Sequence, residues 1–441
     1  MSYWWNRAGA GAAPFTPYSA QGSAYGPGPV TAQWSLFTPT MQQSNGGYHV
    51  QLPPGPNQVQ LNQSGQFNLL NVNGYQFALP KDMPLNIDGS QAQGNSITIG
   101  PGDYKGVAIQ GSEGTDGIVN LGGSNLDINT GNGADFVSNV HGHHNKIAVS
   151  GSGNRITSYN GDYNQFSTAG DKGMASSIHL SGGSDGNMIM SHNGGTNTTI
   201  ENSDFNQING ANQGADNVTL KNAGFTAVMQ GEGDTVTSNN GNDNTFTGNG
   251  SFDINKSMRA AINSTNGDVD IQDMQYGNLM ANGGTVDGEN VAASGFTLNG
   301  AETHIKDAQS SGFQVNGGKF KGKDLSDVGV AGFGARVDVK NVDQSMVGVQ
   351  GGNLTGKNNS DSGVGVVGAG ANLKNINNSF INGAGADISA TNGERNTFNL
   401  TGSDVNLNDI DFSMFNISET QIRGSDADGN IFNSFSVPEE E

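Results

Sequence analysis

Apolar residues are nowhere massed in this chain. They recur singly or in alternating pairs, separated by Gly, Asn, Asp and Ser. Alternation over a few residues, bounded by turn formers, predicts short strands, and from about Leu85 it continues through SITIG, GVAIQG, NKIAVSGSGNRITSYNGDYNQFSTAG and DTVTSNNGNDNTFTGNG. Asn145, Asn154 and Asn164 each stand two residues before an apolar one, at Ile147, Ile156 and Phe166, which sets a half-period of nine or ten. Val218 and Val236, and Val228 and Phe246, are eighteen apart, so the repeat tightens toward the middle.

In the second half the period is seventeen. Steps of that size from Ile262 reach Leu279, Phe296, Phe313, Val330, Val347, Val364, Ile381, Phe398, Phe415 and Phe432, all apolar. A second series runs from Gly283 through Gly300, Gly317, Gly334, Gly351, Gly368 and Gly385 to Gly402. Two more apolar columns, typified by Val337 and Val342, lie seven and twelve residues after the first. Three columns divide each coil into sides too short for a helix, so the predicted fold is all-β, a three-sided parallel β-solenoid with coils of about 17–20 residues. Residues 96–433 would form roughly 18 to 20 coils at about 4.8 Å each, a rod of about 90 Å.

The corners are equally periodic. Asp273, Asn290, Asp307, Asp324, Asn341, Asn358, Asn375, Asn392 and Asp409 march at seventeen, and Asn and Asp tolerate left-handed backbone angles. The column Asn341, Asn358, Asn375 and Asn392 is expected to stack its amides into a ladder. The glycine column marks a second corner that needs positive φ or close backbone approach.

The pattern divides the chain into five parts. Residues 1–50 are an extended Pro/Gly/aromatic arm whose Trp4, Trp5, Tyr18, Tyr25 and Trp34 either cover the rod's end or dock on a neighbour. Residues 51–95 are a transition and N-terminal cap, 96–250 the looser coils, 251–433 the regular coils and 434–441 an acidic tail. SFDINKSMRAAIN, where the two halves meet, is expected to be a brief irregularity or a short helix.

Composition narrows the function. Hydrophobic residues are only 33% of 441 and glycine fills 69 positions, so one ordinary globular core is not expected. With no cysteine there is no disulfide, thiolate metal site or thiol nucleophile. A net charge of −21 argues against general nucleic-acid binding, and no apolar run is long enough to span a membrane as a helix. The N-terminal sequence lacks the basic and apolar regions of a Sec signal peptide, so an extracellular protein exported by a leaderless, type I or type III-like route is expected. This Gly-rich, Cys-free, acidic, leaderless profile is similar to that of the harpins, secreted proteins of plant-associated bacteria. The resemblance implies only the export route, because harpins are largely helical or low-complexity in pattern.

Several groups are candidates for chemistry. Lys306, Lys323, Lys340, Lys357 and Lys374 recur at the coil step, which predicts either a stripe that binds an acidic polysaccharide or other polyanion, or solvated gatekeepers against lateral strand pairing. In HGHH, alternation along a strand would let His141 and His143 share a metal ion. Asp426 and Asp428 have calcium-loop spacing without the loop's distal glutamate, so Ca2+ is carried only as a candidate ligand, as it is for GSEGTDG and NGDVDIQD. No other cofactor is expected, and the nonapeptide of calcium β-rolls does not recur.

The signatures of catalytic β-helices are missing: there is no Gly-His-Gly, no Asp-Asp pair, no Tyr-Gly-Phe-Asp-Pro-His, and Arg155 is the sole arginine of the looser coils. Threonine ladders of the ice-binding kind do not persist beyond TVT and TFT. The expectation is therefore a non-enzymatic, secreted structural or adhesive solenoid that partners itself head to tail in fibres or matrix, or binds acidic polysaccharide at a cell surface. The alternatives are a polysaccharide-binding or polysaccharide-modifying β-helix and a leaderless effector.

Overall fold

The computed structural model describes residues 38–44, 46–170, 175–192, 195–210, 215–425 and 428–434. These form an all-β rod without a helix, built from 44 strands in two stacks that run along its whole length. Each regular coil gives one five-residue strand to the first sheet, such as Gly295–Asn299, and one eight-residue strand to the second, such as Glu302–Gln309. Both pair in parallel with the same strand of the next coil: Phe296 on Phe313, Thr303 on Phe320.

The longer strand bends at its sixth residue. Asp307 sits at φ 55° and is skipped in the pairing, after which Ala308 and Gln309 align with Leu325 and Ser326. Ser310, at φ 49°, ends this two-residue segment. The coil is thus three-sided, with the third side reduced to two residues, and its three corners are the left-handed residues Gly300, Asp307 and Ser310. The third apolar column lies on that short side: Met274, Val291, Ala308, Leu325, Val342 and Ile376 are all buried. Asn359 is the buried polar member, and its Oδ1 has no hydrogen-bond partner among the described residues.

Two of the corners carry an interior ladder that closes backbone donors onto the following coil. In the looser coils the Asn145 N–H donates to Asn164 Oδ1 at 2.9 Å and the Asn164 N–H to Asn187 Oδ1 at 2.8 Å. In the regular coils serine takes over: the Ser294 N–H donates to Ser311 Oγ at 3.2 Å and the Val328 N–H to Ser345 Oγ at 2.9 Å. A buried amide here would cost on the order of 1–3 kcal/mol if left unpaired. The Asn-x-apolar spacing seen in the sequence belongs to these ladders rather than to the outer turn column.

The other interior ladder is acidic. The Asn95 N–H donates to Asp116 Oδ1, the Asp116 N–H to Asp135 Oδ1 and the Asp135 N–H to Asn154 Oδ1, at 2.6, 2.8 and 2.8 Å. Asp116 is the aspartate of GSEGTDG, so that segment serves the fold. Burial pushes the Asp135 carboxyl up to about 6, against hydrogen bonds from Thr130 and Asp116 that favour the charged form and beside the like charge of Asp116. Asp234, on the same corner, is also raised by burial.

Most of the variation in coil length is absorbed at the corner from the first sheet to the second, although the return corner also lengthens, from five residues between Tyr159 and Gln165 to six between Ser181 and Met188. The former takes four residues between Ser150 and Arg155 but two between Thr265 and Asp268. SFDINKSMRAAIN is corrected here: it forms strands Ser251–Asn255 and Ala261–Thr265, with Lys256 and Arg259 at left-handed corners. Inward alternation of Phe252, Ile254 and Ile262 outweighs the local helix formers. Residues 40–44 and 47–50, expected within the extended arm, are strand instead. Thr40–Ser44 and Gly47–Gln51 form an antiparallel hairpin whose second strand pairs in parallel with Leu85–Asp88, because Val50 and Leu52 bury in the core.

Pro56–Ser64, Phe67–Val72 and Tyr75–Pro80 add an antiparallel meander to the second sheet, with Pro56–Ser64 pairing in parallel with Gly94–Ile99. At the opposite end the core column runs out: Phe432 stacks on Phe415 with centroids 4.8 Å apart, yet is 53% exposed. No helix among the described residues is long and apolar enough to cross a membrane.

Two outcomes follow from the corners. Gly334 sits at φ 60° with open space where a Cβ would stand, whereas Gly329 has equal space but lies in the strand Gly329–Phe333, outside the positive-φ region. Gly334→Val is expected to lower stability by about 1–2 kcal/mol, and Gly329→Val to be neutral or stabilising, in paired chemical denaturations. Gly332 is not a fair control, since it points inward and a Cβ there would stand 2.9 Å from Val337 Cγ2.

The Asp135 carboxyl favours its neutral form in the fold, so its contribution to stability is full below about pH 4 and is lost as pH rises through about 6. Asp135→Asn keeps the ladder acceptor. It is expected to raise the melting temperature at alkaline pH and to flatten its dependence between those limits, while an unchanged melting profile would contradict the assignment.

Candidate functional site

The outward positions of the second sheet carry most of the organised charge. Lys306, Lys323, Lys340, Lys357 and Lys374 stack in consecutive parallel register, each just before the left-handed corner of its coil. Adjacent strands lie about 4.8 Å apart, so unpaired ammonium groups in such a column repel one another. The column is not uniform. Lys306 is ion-paired to Glu289 and lies 3.3 Å from Asp307, and these acids hold its ammonium above the ordinary lysine range. Lys323 lies 3.4 Å from Asp324. Lys340, Lys357 and Lys374 have no ion pair among the described residues, so the free part of the stripe is its last three members.

Below the lysines the same face is acidic. Asp253, Asp270 and Asp287 pair in register in one outward column, with Asp268 and Glu289 beside them. Partial burial, then the neighbouring Asp253, Asp287 and Glu289, raise the Asp270 carboxyl above its usual range. The two blocks meet at the strand Glu302–Gln309, where Glu302 bonds Lys319 at 2.9 Å and His304 Nδ1 lies 3.0 Å from Asp287. The sequence reading found the lysine column but missed the acidic block. Its signal is Asp253, Asp270 and Asp287 at the coil step.

The outer turn column is as expected. Asn341, Asn358, Asn375 and Asn392 have φ of 55°, 57°, 55° and 55°. Asn358 Nδ2 donates to Asn341 Oδ1 at 2.8 Å and Asn375 Nδ2 to Asn358 Oδ1 at 2.7 Å. The role is structural.

His141 and His143 do not lie on one strand face. His141 is itself a corner at φ 56°, so the alternation that would have paired the two rings is broken. His143 Nδ1 accepts the Asp162 N–H at 3.1 Å, and His141 Nδ1 lies 3.2 Å from Asn160 Nδ2, so each ring is tied to the following coil. The Asp428 N–H donates to Asp411 Oδ1 at 2.8 Å, and Asp426 lies outside the described residues, as do Trp4, Trp5, Tyr18, Tyr25 and Trp34. Among the described residues no three His, Asp or Glu converge on a metal-sized site.

Two surfaces had no counterpart in the sequence reading. Three residues after the outer turn column stand exposed aromatics in left-handed conformation, where a bulky side chain is an outlier. Tyr163, Phe205, Phe225 and Tyr276 have φ between 50° and 59°, and Phe205 stacks on Phe225 at 4.8 Å. On the first sheet, outward Gly295, Gly312, Gly329, Gly348 and Gly363 leave a shallow groove of about 800 Å³.

The sequence matches no protein-family model and no curated protein.

Proposed function

We propose that this chain is a secreted structural or adhesive solenoid that assembles into extracellular fibres or matrix through repeated, weak contacts. The observation that supports this is the register of outward side chains in the regular coils: each places its charged and amide groups one strand spacing from those of the next. Contacts that are individually weak add when many engage at once on one rigid body.

A second reading, binding of acidic polysaccharide, is favoured by the unpaired Lys340, Lys357 and Lys374. Neither reading includes catalysis, and the extracellular setting suits a fold held without thiol chemistry.

Electron microscopy of the purified chain over a concentration series separates the two. Filaments of constant width are expected, and they should persist, shortened or rarer, when residues 1–37 are deleted if the coil ends alone suffice. Single rods at every concentration would overturn assembly. Single rods that bind alginate in low salt, and lose it in a Lys340→Gln, Lys357→Gln, Lys374→Gln variant, would establish the second reading instead.

A further inference from the structure

The charge on the second sheet is segregated along the rod, and the boundary is sharp. Strands Ser251–Asn255, Asp268–Gln272 and Thr285–Ala292 present five carboxylates, Asp253, Asp268, Asp270, Asp287 and Glu289, and no cation. Three strands on the far side of Glu302–Gln309, with their outward faces at 319–323, 336–340 and 353–357, present six cations and one carboxylate, Asp338. Between the two blocks the groups at the seam satisfy one another, through Lys306 with Glu289 and Lys319 with Glu302, and Lys323 lies 3.4 Å from Asp324. Asp253, Asp268 and Asp270 on one side, and Arg336, Lys340 and Lys357 on the other, have no ion pair among the described residues.

A rigid face that is acidic on one half and basic on the other is complementary to a copy of itself turned end for end. We propose that two copies of this chain pair side by side and antiparallel through their second sheets, about a two-fold axis lying along the strand Glu302–Gln309. This goes beyond the fibre reading and holds whether or not rods also join at their ends. The axis keeps strand direction and reverses coil order, so the strand Lys319–Ser326 of one copy lies over Thr285–Ala292 of the other, and Arg336–Asp343 over Asp268–Gln272. In that register Lys321 meets Asp287, Lys323 meets Glu289 and Arg336 meets Asp268, each twice by symmetry.

Three like-charge meetings oppose this: Asp338 with Asp270, and Glu302 and Lys306 each with its own copy on the axis. The two on the axis are offset inside each chain, where Lys319 and Lys321 lie 2.9 and 3.8 Å from Glu302 and Glu289 pairs with Lys306. A two-fold axis along the rod would instead set each block against its like, so a parallel pair is disfavoured. Seven strands of five residues present about 550 Å² per copy, roughly 1,100 Å² in all, at the low end of specific interfaces. The partnership is therefore weak and electrostatic, and it dissolves as salt screens it.

Charge exchange tests the proposal. Two variants of the full chain, Lys321→Glu with Lys323→Glu and Asp287→Lys with Glu289→Lys, alter only exposed side chains; circular dichroism and melting confirm that each folds, and the milder Lys321→Gln with Lys323→Gln stands in if the first does not. In analytical ultracentrifugation at moderate salt the native chain is expected to be dimeric and each variant monomeric. An equimolar mixture of the two charge-reversed variants is expected to regain the dimer, because each then meets the charge it lacks, and high salt to dissolve it again. A native chain that stays monomeric, or variants that stay dimeric, or a mixture that does not re-form the dimer would overturn the proposal. End-to-end filaments that persist in both variants and in high salt, from a native chain that shows no charge-dependent lateral pair, would overturn this pairing alone and leave the fibre reading standing.

Discussion

The fold depends on the backbone reversing at fixed places in every coil without losing its hydrogen bonds. Three residues per regular coil turn through the left-handed region, and their identities differ because their surroundings do. Gly300 and its column have no side chain to clash and no need for one. Asp307 and its column use a short polar side chain that reaches its equivalent in the neighbouring coil, as Asn358 does to Asn341. Ser310, Gln344 and Arg395 show that the third corner accepts almost anything, because the residue after it does the holding: Ser311, Ser345 and Asn396 are buried and each accepts a backbone N–H from the preceding coil. With the corners satisfied, a core of scattered valines, isoleucines and stacked phenylalanines suffices. Phe398 and Phe415, with rings 4.6 Å apart, add face-to-face contact along the rod.

That division of labour explains what the sequence disclosed. A structure with one repeat per strand spacing writes its register directly into residue spacing, so the columns of Phe296, Gly300 and Asn341, and the order of lysines from Lys306 to Lys374, were legible before any coordinate. The short third side was legible too, from the buried column of Val342. The antiparallel closure around Tyr48 and Val50 was not, because it is non-repeating and its evidence is only a few alternating residues beside a Pro/Gly-rich stretch. SFDINKSMRAAIN misled for a different reason: Lys256, Met258, Arg259 and Ala260 favour a helix locally, and only stacking on Thr235–Asn239 and Asp268–Gln272 decides for strands. His141 and His143 failed as a pair because alternation was assumed across what is a corner.

Surface chemistry is freer than the core and is where function must lie. On the first sheet the outward residues shrink to glycine over several coils, on the short side aromatics accumulate at corners such as Phe205 and Phe225, and on the second sheet charge separates into blocks. None of these is needed to turn the coil. An outward position costs the fold little to change, so a column that holds one chemistry for five coils, as the lysines do, is best explained by what the face meets. The buried carboxylates of Asp116 and Asp135 are the opposite case, retained as acceptors in a ladder that elsewhere uses asparagine.

Amide hydrogen exchange at the corners addresses the central claim most directly. If side-chain oxygens of one coil close the backbone of its neighbour, the amides of Ser294, Val328 and Ser345 exchange as slowly as those of the flanking strands Gly295–Asn299, Gly329–Phe333 and Met346–Gln350, and Ser345→Ala speeds exchange at Val328 selectively. Fast exchange at these corner amides in the native chain, or no change at Val328 in the variant, would contradict the account.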